Sequence, residues 1–117
     1  MLHSAWVYIL TNKNNTTLYV GVTNDLPTRL WEHRTMRNPR SFTAQYNLFK
    51  LIYYEGFETV SEAVIYEKFL KGKKRQWKTD LIEKVNPEWR DLLVSFESDI
   101  LGGGRVLARA SEGSDAG

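Results

Sequence analysis

The chain has 117 residues, 42% of them hydrophobic and 26% charged, which excludes a disordered or fibrous chain and leaves room for one core rather than two. It has no cysteine, so disulfides and thiolate metal ligands are excluded and a reducing compartment is expected, with the cytoplasm as default. No apolar run approaches the roughly 20 residues that span a bilayer, so no membrane role is expected, and within a net charge of +2 the local clusters of arginine and lysine favour polyanionic partners.

WVYILTNKNNTTLYVG reads as a β-hairpin, with strands over 6–10 and 18–22 and turn-forming residues between them. Alternation puts Leu18, Val20 and Val22 on one face and Tyr19 and Gly21 on the other, while Val7 and Ile9 oppose Trp6, Tyr8 and Leu10. Both faces are apolar, which predicts a hairpin covered by helices on both sides. Asn24 or Asp25 is placed to cap a helix LPTRLWEHR, with Pro27 tolerated in its first turn and Leu26 and Leu30 at helical spacing. Arg29 and His33, four apart, are neighbours on one face of that helix. TMRNPRSFTAQYN has no sustained period and reads as a long basic loop whose Arg37 and Arg40 are candidate substrate contacts.

LFKLIYYE is a third strand, rich in β-branched and aromatic residues. Thr59 with Glu62 makes a capping box that opens the helix VSEAVIYEKFLK, broken near Gly72. KGKKRQWK follows and gathers Lys73, Lys74 and Arg75 beside Trp77; it is a candidate phosphate-binding patch, although a solvated helix face is the plainer reading of any one lysine run. A helix over 75–85 stops at Asn86, because the residue before Pro87 is disfavoured in the α region. PEWRDLLVSF resumes helical spacing and predicts a short terminal helix. From Glu97 the chain turns rich in Gly, Ser and Ala, so one domain over 1–96 and a flexible tail over 97–117 are expected. Fourteen of the Lys and Arg against ten of the Asp and Glu fall in 1–96, making the domain more basic than the total. The fold class expected is α+β, a three-stranded antiparallel sheet flanked by helices in the order β-β-α-β-α-α, then the terminal helix.

The order Tyr8, Tyr19, Arg29, His33, then a helical Glu67 and Asn86, resembles the GIY-YIG nuclease superfamily, and more closely its small standalone bacterial members, with similarity to the GIY-YIG domain of the excision-repair endonuclease subunit. YVG, TRLWEH, SEAVIYEKFLK and LIEKVNPEW carry the resemblance, which covers residues 5–96. Two departures stand out: the first motif is Trp6-Val7-Tyr8 and the second Tyr19-Val20-Gly21.

The resemblance implies hydrolysis of a DNA phosphodiester bond by water attack at a single Mg²⁺ or Mn²⁺ ion, with structure selectivity in repair or recombination. It implies Glu67 as the metal ligand, a hard oxygen donor whose coordination is completed by water and phosphate. Tyr8 would activate the attacking water, Tyr19 would hold water or phosphate, and Arg29 would stabilise charge on the phosphorus centre. His33 would orient the phosphate or protonate a leaving oxygen, Asn86 would aim its amide into the site, and Gly21 would serve by the absence of a side chain. Taken singly, the tyrosines could be core residues, Arg29 and His33 a solvated helix face, and Asn86 a helix terminator. The rival from another class is a nucleic-acid-binding module of the same fold with weak catalysis.

Overall fold

The computed structural model describes residues 3–35 and 38–93, so Arg37 and the tail read over 97–117 lie outside the described residues. In chain order the elements are β1 (Ala5–Thr11), β2 (Leu18–Thr23), α1 (Leu26–Arg34), α2 (Phe42–Gln45), β3 (Lys50–Phe57), α3 (Val60–Lys71) and α4 (Arg75–Val85). The sheet runs β2-β1-β3 and is antiparallel throughout. The α+β class and the three-stranded antiparallel sheet with flanking helices are as the sequence predicts.

β1 is the central strand, and its alternation divides the core in two. Ala5, Val7 and Ile9 pack with Val20, Ile52, Ala63, Leu70 and Ile82, which brings α3 and α4 onto one face of the sheet. Tyr8 and Leu10 pack with Leu26, Leu30, Leu48 and Leu51, which brings α1 onto the other. Each fully buried leucine or isoleucine here contributes about 1.5–3 kcal/mol relative to exposure. β3 slips register against β1, with Ile9 opposite Tyr53 but Leu10 opposite Leu51. Ile52 is the extra residue, and the slip lets Ile52 and Tyr53 both join the α3 side of the core.

The hairpin is closed by side chains, Asn12 foremost, rather than by a two-residue turn. Asn12 Oδ1 accepts from the N–H groups of Thr16 at 2.8 Å and Thr17 at 3.2 Å, and Asn15 adopts a left-handed φ of 59°.

Two local expectations are corrected. The stretch read as loop contains α2, a single turn capped by Ser41, whose Oγ accepts from Ala44 N–H at 3.2 Å. Of the terminal helix read over 87–96, Pro87 to Leu92 are not helical, Leu93 is, and 94–96 lie outside the described residues. Trp89 takes a left-handed φ of 56°, and Leu92 N–H donates to Leu51 O at 2.7 Å. Asp91 Oδ1 accepts from Leu51 N–H at 3.3 Å, so this segment lies along β3 instead of coiling away from it. Arg34 at the end of α1 clamps the same aspartate through Nη2, at 2.7 and 3.0 Å. Among the described residues no helix is long and apolar enough to cross a membrane.

Candidate active site

The hairpin register sets the first two groups. Tyr8 lies opposite Gly21 and Leu10 opposite Tyr19, so both phenol rings project from the α1 face, with centroids 6.2 Å apart. Gly21 is where the Tyr8 ring crosses β2: a Cβ there would stand 2.5 Å from the ring's Cζ and hydroxyl oxygen. No larger residue leaves the phenol where it is.

α1 supplies the next two. Asp25 caps it, accepting from Thr28 N–H at 3.2 Å and Thr28 Oγ1–H at 2.8 Å, and Leu26 and Leu30 anchor its buried side. That fixes Arg29 and His33 one turn apart on the flank facing the hairpin. His33 Nε2 lies 3.2 Å from the Tyr8 hydroxyl, and its ring centroid is 5.9 Å from that of Tyr19. Arg29 pairs loosely with Glu32 at 3.4 Å, with both side chains about 40% exposed, so its guanidinium remains available to an incoming anion.

α2 completes the cluster with residues that the pattern did not single out. Thr43, buried, lies 2.7 Å through Oγ1 from His33 Nδ1, and Ser41 Oγ is 3.3 Å from the same hydroxyl. Phe42 stacks on Tyr19 at 6.1 Å and meets Tyr46 at 4.6 Å, leaving both outer rings about half exposed. The available signal was Ser41 ahead of a short apolar stretch, a helix cap too brief to show a period. Arg29, Glu32, His33, Asn38 and Ser41 line an open cleft of about 360 Å³ over this cluster.

The electrostatics follow from burial. Burial is the main reason the Tyr8 phenol is held well above the usual tyrosine range; the neighbouring Tyr19 adds to this, and Arg29 opposes it without cancelling it. Burial also pushes His33 below its ordinary value, reinforced by the Arg29 charge and opposed by Glu32. A neutral imidazole therefore faces a neutral phenol at physiological pH.

The remaining candidates stand elsewhere. Glu67 lies on the face of α3 that carries Ala63 and Leu70, packed against the sheet face opposite Tyr8, and its carboxylate is paired with Lys71. Asn86 is fully buried, and both of its amide hydrogens are committed, to Ile52 O at 3.1 Å and Arg90 O at 2.9 Å. Its oxygen accepts from Arg90 N–H at 3.0 Å, so its amide orders the 86–90 turn against β3 instead of reaching the cleft. Arg75 is committed too, donating to Asn15 O at 2.9 Å and Thr16 O at 3.0 Å, which ties α4 to the hairpin loop. Lys73 sits over the rings of Phe69 and Trp77, at 4.7 and 5.3 Å, and Lys74 is exposed at the α4 cap. Arg40 is exposed and precedes Ser41 in the chain, the latter being a residue that lines the cleft.

Among the described residues no group of three or more His, Asp or Glu could hold an ion. The donor set fits only a hard divalent ion held by one carboxylate, with water and phosphate filling the other positions. Lys71, half exposed on a flexible stem, is the group such an ion would displace from Glu67.

The family model of the GIY-YIG catalytic domain matches residues 4–80. A UPF0213 protein of Streptococcus pneumoniae serotype 4 is 35% identical over 97 residues, spanning 83% of this chain and 94% of its own. One from Streptococcus agalactiae serotype V is 35% identical over 84 residues, spanning 72% and 93%. The solution NMR structure of a UPF0213 protein from Bacillus halodurans aligns with a TM-score of 0.49 at 25% identity, covering 76% of this chain and 93% of that one. The chain belongs to the GIY-YIG family, as a small member similar to the UPF0213 proteins. The family is one of nucleases, and its substrates are nucleic acids.

Proposed function

We propose that the protein is a metal-dependent endonuclease that hydrolyses DNA phosphodiester bonds by direct attack of water. The observation that carries this reading is the hydrogen bond between the Tyr8 hydroxyl and His33 Nε2 beneath a cleft walled by Arg29.

The raised pKa of Tyr8 makes a standing phenolate unfavourable, so the phenol works as a relay. As the water oxygen bonds to phosphorus, its proton passes to the Tyr8 oxygen while the phenol hydrogen moves to neutral His33 Nε2. The bond from phosphorus to the leaving sugar oxygen breaks, and that oxygen takes a proton from solvent. His33 thus acts as the base behind Tyr8, in place of the phosphate-orienting or leaving-oxygen-protonating role that the resemblance implied. Arg29 neutralises charge on the phosphorus oxygens, where its fork can engage two of them. Tyr19, only partly buried, supplies a hydroxyl at the cleft edge for water or phosphate. Glu67 is the carboxylate that would hold the Mg²⁺ or Mn²⁺ ion and give Lewis-acid stabilisation of a phosphate oxygen; α3 carries it on the sheet face away from the Tyr8–His33 pair, so the metal assignment rests on the likeness to the family and not on the geometry of the cleft.

Arg37, Arg40, Lys73 and Lys74 are the residues assigned to the DNA backbone beyond the scissile phosphate. The exposed rings of Phe42 and Tyr46 offer faces to unpaired bases, which suits substrates with single-stranded character such as branched or nicked DNA. Selectivity of that kind fits repair or recombination.

The test is incubation of single-stranded, nicked, branched and duplex DNA with Mg²⁺ or Mn²⁺, comparing wild type with Arg29→Ala and Glu67→Ala. Cleavage by wild type that both variants lose supports the proposal. DNA binding without cleavage on every substrate would favour the binding module, and cleavage unchanged in Glu67→Ala would overturn the metal assignment.

A further inference from the structure

We propose that Thr43 is a positioning residue: its hydroxyl accepts the Nδ1 hydrogen of His33 and holds the imidazole in the tautomer whose Nε2 lone pair faces Tyr8. The inference rests on the hydrolase reading for its catalytic consequence and on geometry alone for the tautomer.

The argument starts from the buried phenol. Before substrate and the attacking water enter the cleft Tyr8 is fully buried, so in the resting site its hydroxyl hydrogen needs a protein acceptor. Arg29 beside it can only donate. Tyr19 also faces it and is a second hydroxyl within its reach, but the ring nitrogen of His33, at 3.2 Å, is taken as the partner of the phenol hydrogen. When the phenol donates to His33, Nε2 must offer a bare lone pair. A neutral imidazole with no hydrogen on Nε2 carries it on Nδ1, and Nδ1 points at Thr43 Oγ1, 2.7 Å away.

Thr43 is suited to accept. Its own hydrogen can go on to Ser41 Oγ at 3.3 Å, giving one continuous direction of donation from Tyr8 through His33 and Thr43 to Ser41. Its backbone is pinned as well, because Thr43 O accepts from Leu48 N–H at 2.8 Å and Ser41 caps the turn that carries it. The groups facing the imidazole are Tyr8 from β1, Tyr19 from β2, Arg29 and Glu32 from α1, and Thr43 from α2. Of these, Thr43 is the one bonded to the ring nitrogen remote from Tyr8. At 2% exposure it cannot meet a DNA strand itself, so its influence passes through His33.

The experiment is ¹⁵N NMR of the imidazole nitrogens in the full chain at neutral pH, without substrate. His3 and His33 are the two histidines, and His33→Asn assigns the signals. Wild type is expected to show hydrogen on Nδ1 and a bare Nε2. Thr43→Val, nearly isosteric, should move His33 toward the Nε2-protonated form. It should also slow single-turnover cleavage by on the order of ten- to a hundredfold with DNA affinity unchanged. Thr43→Ser should restore both. Hydrogen on Nε2 in wild type, or a tautomer unaffected by Thr43→Val, would overturn the assignment. Because the spectrum needs no turnover, a chain that cuts nothing but shows the tautomer change upholds the role of Thr43 and overturns the hydrolase reading alone.

Discussion

At the scale of single residues, Gly21 and His33 make the sharpest demands. The Gly21 backbone runs 2.5 Å, measured from where a Cβ would stand, from a ring packed in the cluster of Leu26, Leu30 and Leu48. Gly21→Ala must therefore push Tyr8 off His33 or deform β2, at a cost of about 1–3 kcal/mol. Urea unfolding should show a lowered midpoint with an unchanged slope, and cleavage should fall with it. His33 carries a pKa below its ordinary 6.5, so between the folded and unfolded values the unfolded chain binds more protons. The stability contributed by neutral His33 is fully present above about pH 6.5 and declines as pH falls toward its folded value. Urea midpoints measured across this range should drop on acidification, and His33→Asn should flatten the drop. Cleavage should follow the same direction, rising with pH and levelling off once His33 is neutral. Tyr8, Tyr19, Arg29 and His33 were legible because each belongs to a recognisable order along the chain. Thr43 was not, because a threonine in an aperiodic stretch shows nothing until the fold brings it against an imidazole ten residues away.

At the scale of elements, periodicity carried the strands and long helices to within a residue or two. The helix over 75–85 coincides with α4, while the third strand, read over 48–55, sits at Lys50–Phe57. α2 escaped because four residues make one turn and cannot display a 3.6-residue period. The terminal helix misled for the opposite reason. Trp89, Leu92 and Leu93 have helical spacing, but Asn86 holds the turn in another shape through three side-chain hydrogen bonds. A buried amide so engaged predicts that Asn86→Ala destabilises by about 2–3 kcal/mol, since removal strands a β3 carbonyl and the Arg90 backbone. Thermal or chemical unfolding should register that loss, with residual cleavage tracking the folded fraction. A variant as stable as wild type but inactive would instead return Asn86 to the catalytic list.

At the scale of the whole molecule, the central strand explains why so little chain makes a site. β1 buries Val7 and Ile9 against α3 and α4, and so presents Tyr8 on its other face to α1 and α2. The two cores hold the hairpin rigidly from both sides, and Arg75 and Arg34 tie the hairpin loop and the end of α1 to distant segments. Fold class followed from the alternation of two-sided strands with capped helices. The distribution of Arg75, Lys73 and Glu67 did not, because one linear basic or acidic cluster can divide between clamps, ring contacts and solvent. The most direct measurement is the single-turnover cleavage rate of Tyr8→Phe at saturating protein, beside its DNA dissociation constant. Loss of the hydroxyl alone should slow cleavage by on the order of a hundredfold or more while affinity stays within about twofold. Cleavage at the wild-type rate with the hydroxyl gone would contradict the account.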